Sequence, residues 1–581
     1  MRAASPRAVL PPWAPALPRG VGVALDLASA TAIAVVLALV LLTFRDYGIT
    51  WDETWHLNYG DFILSWITTL GEDGSALCYK FDYLYGGAFD LLGALLRRVS
   101  PLPPYDTIHL LGALVGVLGL LGTWSLARRL GGPLAGLAAV LLLATTPSYY
   151  GHMFSNPKDL PFAVGYVWAL DALVEVVLRL PRVPRRAWLR FSIVAGLTMG
   201  VRVGGILLLV YLGAVVVGSA VLRARATGSL DAGIDTARRL GRPALAAMAG
   251  AWVVMLSTWP WALLDPMRRP FMALGRMSRF VMHRRTMPFA GEEMLTTDPR
   301  WDYLLHYFGL KLPLLLLALV LVAAALCLLA LRPSLHARLP KAKRDVALVL
   351  ALAIVAPPTY AVVVRSVLYD GLRHFLFLVP PMAAVAAVAL VLIPRLLPRR
   401  SLVVAIGLAL LTAGALCRQV WQMRALHPYQ YVYFNELEGG LPGAFGSYDT
   451  DYYGASYKEG FRVLSEHLWQ TDHEAYLNNR YAVTGCIPDF IAVEYVDGNL
   501  AWIERGHKGA QFYLGYTRSN CDQRHRNRPV MLEVERESTM LLVIRDMRRP
   551  PKADADQPNP ADGEAGEEAD DEEEGAEDEA G

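Results

Sequence analysis

Val21–Phe44 reads VGVALDLASATAIAVVLALVLLTF, and Leu312–Leu331 reads LPLLLLALVLVAAALCLLAL. Each is as long as the roughly 20 residues that a helix needs to cross a hydrocarbon layer. The first holds one charge, Asp26, and the second none. Backbone groups in lipid must be satisfied within the segment, so such runs are read as helices. Further apolar stretches follow near 108–127, 134–147, 163–178, 243–264, 346–364, 375–393 and 402–417, with two short ones between 191 and 222. The chain therefore reads as a polytopic α-helical membrane protein with about eleven transmembrane helices. Only 19% of its 581 residues are charged, below the roughly 25% usual for soluble domains.

The formal net charge of +2 hides an asymmetry. Residues 551–581 hold fourteen acids and one lysine, which leaves the preceding body net basic by fifteen. That tail lacks the apolar residues to form a core and is expected to be disordered. The basic segments Arg128-Arg129, RLPRVPRRAWLR, RARATGSLDAGIDTARRLGR, RPSLHARLPKAKRD and PRLLPRR fall on one side of the membrane when the spans are counted. That side takes the cytoplasm, with residues 1–20, and the first helix is retained rather than cleaved as a signal peptide. Loops 45–106, 148–162, 265–307 and 365–374 then face outward from a membrane body of 21–417, as does a hydrophilic region, 418–550. This region mixes strand-like runs, FIAVEYV, QFYLGYT and MLLVIRD, with polar turns, and reads as a small α/β domain. If it lies outside, Cys486 and Cys521 are free to pair. Cys327 and Cys417 fall in apolar spans and read as packing residues. GGAFDLLGALLRRV in the first outward loop is amphipathic and suits the membrane interface. The pair of short spans around Arg202 fixes the sidedness of everything after it.

Unusual polar residues gather in the outward loops. DYGITWDETWHLNYGDF, 46–62, places Asp52 and Glu53 between Trp51 and Trp55, with His56 next, just after a span. SYYGHMFSNPKDLPF, 148–162, holds His152, Asn156, Lys158 and Asp159 around a turn-forming Asn-Pro. Asp159 could instead cap the following helix, with Lys158 at the interface. SVLYDGLRHFLFLVPP, 366–381, brings Arg373 and His374 into an apolar span from outside. Arg202, in GVRVGG, is placed similarly, and Arg284 and Arg285 add cations to the long loop. Paired acids beside planar guanidinium groups suit a phosphorylated lipid and a hydroxylated acceptor, or equally a substrate path.

An Asp-Glu pair in the first outward loop, here Asp52-Glu53 in TWDETWH, is the signature of the GT-C superfamily. With GHMFSNPKDLPFA, GLTMGVRVGGILLL, GLRHFLFLVPP and HPYQYVYFNELEGG…YDTDYYGASYKEG in order, the chain resembles a bacterial branch of that group over about 46–458. Its members are multispan glycosyltransferases that use polyprenyl-phosphate sugars, and they include protein O-mannosyltransferases and aminoarabinose transferase. The resemblance implies an inverting transfer on the extracytoplasmic side of a plasma membrane, the inner membrane of a bacterium, and the first acid of the pair as base. It implies no cofactor. No metal-ligand spacing stands out, and a divalent ion bridging Asp52 and Asp159 is left open.

The chemistry agrees with one base rather than two carboxylates. A glycosidase must protonate a poor leaving group, whereas a polyprenyl phosphate is already a stable anion. One base for the acceptor and cations for the phosphate suffice. Adjacent side chains point in different directions, so Asp52 is assigned as base and Glu53 as organiser of the loop. Asp159 is assigned to orienting the acceptor or the base. Lys158, Arg202 and Arg373 are assigned to the donor phosphate, with His374 as an alternative donor of a hydrogen bond; His56, His152 and Asn156 are further substrate-loop candidates. A polytopic transporter or flippase is the competing reading, and it predicts ionisable residues at mid-membrane, where Asp171 and Glu175 are the candidates. A silent scaffold would not need the acid pair. Sugar and acceptor are not legible in the sequence, and nucleic acid is not expected as a partner.

Overall fold

The computed structural model describes residues 18–278, 284–330, 332, 341–396, 401–496, 498–504 and 509–548. The tail expected to be disordered, 551–581, and most of the N-terminal segment lie outside the described residues.

The chain is a polytopic helical membrane protein. Seven helices are long and apolar enough to cross a bilayer: Gly20–Thr43, Pro104–Gly131, Asp159–Leu178, Val203–Thr227, Ala342–Val363, Arg373–Pro394 and Val403–Ala425. An eighth crossing is formed if Pro133–Ala144 and Pro147–Ser155, bent by 65°, act as one span. The remaining stretches expected to span are also helical, as Arg185–Met199, Leu230–Leu256 and the shorter apolar Leu314–Ala330. They fall short of the same length and composition test.

Both stretches flanking Arg202 are helical. Helix Arg185–Met199 ends at Gly200, a single 3-10 turn Val203–Gly205 follows, and the next helix starts at Ile206. The hairpin thus turns at GVRVGG. The bend before Pro147 follows from its ring, which cannot continue the preceding helix and holds Thr146 in an extended conformation. Helix Asp159–Leu178 is buried along most of its length, and helices Pro104–Gly131, Arg185–Met199 and Lys341–Val363 pack around it. Helix Val403–Ala425 is largely unburied, so Cys417 on it is exposed and does not pack as expected.

Asp171 and Glu175 lie in the second half of their helix. Asp171 is buried and takes Arg129 at 2.9 Å and Arg190 at 2.5 Å. Glu175 takes Arg190 at 3.1 Å and Arg179 at 3.0 Å. Both acids are thus tied to basic residues of the segments expected to face the cytoplasm.

The hydrophilic C-terminal region carries a five-stranded sheet. Its strands are β3 (Tyr481–Gly485), β4 (Leu500–Trp502), β5 (Phe512–Tyr516), β6 (Val530–Arg536) and β7 (Thr539–Asp546), after a hairpin of β1 (Thr286–Phe289) and β2 (Glu292–Leu295) in the long loop. The order is β4-β3-β5-β7-β6, with β3 parallel to both neighbours and the rest antiparallel. Helix Tyr457–Thr471 covers one face. QFYLGYT and MLLVIRD form β5 and β7 as expected. FIAVEYV does not form a strand: a short helix, Asp489–Ala492, starts just after Pro488, and the chain turns after it. Cys486 and Cys521 are joined in a disulfide.

The amphipathic stretch in the loop 45–106 is helix Ala88–Arg97. Phe89, Gly93 and Ala94 face inward, while Leu92 and Leu95 are exposed, as an interfacial helix requires.

Candidate active site

Helix Trp51–Thr68 begins at the mouth of the bundle, and its first turn carries Asp52 and Glu53. Negative side chains are favoured there by the unpaired amides and the dipole of the helix. The two acids part company. Glu53 is buried and folds back on its own helix end, accepting the Thr50 backbone N–H at 2.6 Å. Its other oxygen is 2.7 Å from His109 Nε2. Asp52 turns the other way and meets Arg373 Nη1 at 2.6 Å.

The loop 148–162 enters beside this pair. Asn156 Oδ1 accepts from the Asp159 amide at 2.7 Å and the Lys158 amide at 3.3 Å. Asn156 therefore caps the following helix, a role the sequence had left open for Asp159. Relieved of capping, the Asp159 carboxylate pairs with Arg202. Asn156 Nδ2 donates to Asp159 at 3.1 Å and to the Tyr453 hydroxyl at 3.0 Å. The same hydroxyl lies 3.5 Å from Arg373 Nη1. Two carboxylate–guanidinium pairs, Asp52–Arg373 and Asp159–Arg202, thus stand side by side, bridged by Asn156 and Tyr453.

Lys158 completes the cations. Its ammonium sits 4.2 Å above the Tyr85 ring, and Arg202 lies 5.8 Å from the same ring. Tyr85 is brought there by a close backbone crossing. The Gly86 Cα lies so near Gly200 that a Cβ would fall 2.1 Å from its carbonyl oxygen. Only glycine permits that approach.

The charges shape one another. Burial opposes ionisation of Asp52, but Arg373, Lys158 and His56 outweigh it and hold its carboxyl well below the usual carboxylate range. Burial likewise opposes the charge on Lys158, and Tyr85 and Asp52 overcome it, so its pKa is raised. His56 does not face the centre. Its Nδ1 is 3.1 Å from buried Asp90, with Asp82 4.0 Å from Nε2. Burial would lower its pKa, but the Asp90 carboxylate raises it.

His152 is set back behind the tyrosines, with Nδ1 2.6 Å from the Ser148 carbonyl and Nε2 3.2 Å from the Tyr452 hydroxyl. His374 packs edge-on against Tyr369 at 4.6 Å. Asp52, Lys158, Asp159, Arg202, Arg373 and Asn156 are therefore brought together, while Glu53, His56 and His152 support the periphery.

Sequence reasoning missed Tyr85, Tyr453, Asp370, Asp449 and Arg518. Tyr453 lies in YDTDYYGASYKEG and Asp370 three residues before Arg373, so both stood beside quoted residues. Arg518 comes from the C-terminal region, 5.5 Å from the Trp51 ring, and no local pattern marks it. Among the described residues, no group of three or more His, Cys, Asp or Glu is placed to hold a metal ion.

Residues 104–228 match the family model described as dolichyl-phosphate-mannose-protein mannosyltransferase. The matched segment contains Asn156, Lys158, Asp159 and Arg202. The resemblance to the GT-C glycosyltransferases is borne out over this segment. No curated protein sequence matches the chain. The chain is similar to a solved structure of ArnT from Cupriavidus metallidurans bound to undecaprenyl phosphate, at 15% identity and a TM-score of 0.44, covering 89% of this chain and 97% of that one. It is also similar to the archaeal oligosaccharyltransferase AglB from Archaeoglobus fulgidus, in complex with an inhibitory peptide and a dolichol-phosphate. That likeness has 15% identity and a TM-score of 0.42, covering 78% of this chain and 62% of that one. Likenesses this distant do not carry either protein's ligands over to this chain.

The position of Glu53 makes a prediction. Glu53→Ala removes the helix-end acceptor for Thr50 and leaves His109 without its neighbour. Thermal unfolding in detergent should show a loss of about 1–2 kcal/mol; an unchanged transition would contradict the capping role.

Proposed function

We propose that the chain is a membrane glycosyltransferase that moves a sugar from a polyprenyl-phosphate donor to an acceptor hydroxyl or amine, with Asp52 as general base. The observation that carries this reading is the sharing of Asp52 with Arg373 inside a cluster that also holds Lys158 and Arg202. The match of 104–228 to a mannosyltransferase family supports it.

The acceptor oxygen or nitrogen attacks the anomeric carbon from the face opposite the phosphate. The carbon–oxygen bond to the phosphate breaks, and the polyprenyl phosphate leaves with the electron pair. The acceptor proton passes to Asp52. Arg373, Lys158 and Arg202 meet the charge that grows on the phosphate, a stabilisation worth most where water is excluded. Asp159, held by Arg202 and Asn156, orients the acceptor. Inversion follows from the single displacement.

Asp52 is a weak base while Arg373 holds it. Base catalysis is efficient when the pKa lies near the working pH. Donor binding supplies the correction. As the phosphate draws Arg373 and Lys158 to itself, it relieves Asp52 of the charges that depress its pKa. The base is strengthened only when the donor is in place.

The ion pairing of Asp171 and Glu175 favours this reading over a transporter. Acids on a transport path exchange partners, whereas these two are each satisfied by arginines within hydrogen-bond distance. A requirement for a divalent ion, which would have to displace an arginine from Asp52 or Asp159, is tested by chelation before assay.

The site is proposed to face away from the cytoplasm, toward the periplasm of a bacterial cell. The basic segments on the other side support this, as does the disulfide, which suits an oxidising compartment. Membranes alkylated without reductant should show Cys486 and Cys521 protected, and Cys78, exposed in the first outward loop, modified by a membrane-impermeant reagent in intact spheroplasts. Labelling of Cys78 only after lysis would invert the sidedness.

With a polyprenyl-phosphate sugar as donor, Asp52→Asn should lower kcat by about 10²–10⁴-fold. Undiminished transfer would remove Asp52 as the base.

The pH profile of kcat/KM reports the free enzyme. Because the folded pKa of Asp52 is depressed, its ionised form persists as pH falls past the ordinary value of about 4, and its pair with Arg373 is lost only below that. The wild-type acid limb attributable to Asp52 should therefore lie below about pH 4. Arg373→Gln removes a cation that lowers the pKa and leaves burial raising it, so the limb should move up by about one pH unit or more. A limb that stays put contradicts the coupling.

A further inference from the structure

Three arginines from three segments converge on Asp370. Arg373 Nη2 is 2.9 Å from its Oδ2. Arg285 Nη2, from the residue just before β1, is 2.7 Å from its Oδ1. Arg518 Nη1, from the C-terminal region, is 3.8 Å away. Asp370 is fully buried and sits in a left-handed turn, φ +54° followed by Gly371 at φ +70°. The turn is pinned by Tyr303, whose hydroxyl accepts the Gly371 amide at 3.1 Å. Aspartate is among the few residues that enter this conformation readily. Asp449 lies beyond, 3.4 Å from Arg285.

The division of the Arg373 fork gives Asp370 its meaning. A guanidinium facing one carboxylate tends to donate two parallel hydrogen bonds to it. Here Nη2 is committed to Asp370, and Asp52 receives only Nη1. Asp370 thereby prevents a closed two-bond lock on Asp52. It also keeps the guanidinium in place when Nη1 changes partner.

Resting on the transferase reading, we infer that Asp370 is a positioning residue for donor binding, holding Arg373 by Nη2 so that Nη1 can pass from Asp52 to the donor phosphate. Arg285 and Arg518 fix Asp370 in turn. Through Arg518 the C-terminal region takes part in building the donor site.

The test uses the full-length protein in detergent or nanodiscs, with Asp370→Asn and Arg518→Gln as variants and the folded fraction followed by thermal unfolding. Donor KM for Asp370→Asn should rise about tenfold or more, from the loss of the buried ion pair that positions Arg373, with kcat falling less. Arg518→Gln, which contacts neither Asp52 nor Arg373, should raise donor KM in the same direction by a smaller factor. A merely structural residue would reduce the active fraction, and so apparent kcat, without moving KM. An unchanged donor KM in Asp370→Asn overturns the inference; if that variant does not fold, an unchanged KM in Arg518→Gln does so. Binding of a polyprenyl phosphate alone separates the two levels of the proposal. Wild type that binds it, with affinity weakened in the variants, supports the positioning role without reference to transfer. Wild type that neither binds it nor transfers sugar overturns the transferase reading and this role with it.

Discussion

The Arg373 guanidinium is buried between two carboxylates, Asp52 on one side and Asp370 on the other. A buried charge left without a partner costs about 3–5 kcal/mol, so each of the three groups constrains where the others can be. The segments that carry them are far apart in sequence. Asp52 opens the helix after the first span, Asp370 lies in the turn before a later span that Arg373 opens, and Arg518 reaches Asp370 from beside the sheet. Satisfying this one cation joins the loops that carry Asp52 and Asp370 to the C-terminal region at the mouth of the bundle.

Lipid imposes the second constraint. Charges in hydrocarbon are costly and survive only when paired or close to an end. The described ion pairs follow this rule. Asp52, Asp159, Arg202 and Arg373 gather where helices begin, and Asp171, Glu175, Arg129 and Arg190 neutralise one another toward the other end of the same bundle. One cluster joins catalytic candidates with partners that a phosphate can displace. The other has its charges matched among themselves, and its role is to hold helices Pro104–Gly131, Asp159–Leu178 and Arg185–Met199 in register.

Much of this was legible in the chain itself. Apolar length marked the helices, because a bilayer demands a minimum span. Asp52, Lys158, Asp159, Arg202 and Arg373 were visible as charged residues at the edges of those spans, where a charge has to be explained. The divergence of Asp52 and Glu53 followed from adjacent positions on a helix. What stayed hidden depends on long-range contact. Arg518 lies more than a hundred residues beyond Arg373 in a stretch without a repeating pattern, and only the folded chain brings it to Asp370. Tyr85 owes its place beneath Lys158 to the crossing of Gly86 and Gly200, which no local pattern announces. FIAVEYV has the composition of a strand, yet the chain forms a short helix and a turn after Pro488, a case of context overriding propensity.

In the proposed reaction a lipid phosphate takes Arg373 from Asp52. The most direct measurement is a cryo-EM structure of the full-length protein in nanodiscs with a non-transferable polyprenyl-phosphate sugar analogue. The phosphate is expected within hydrogen-bond distance of Arg373 and Lys158, with the Arg373–Asp370 contact retained and the Arg373–Asp52 contact opened. A phosphate bound elsewhere, with Arg373 still closed on Asp52, would contradict it.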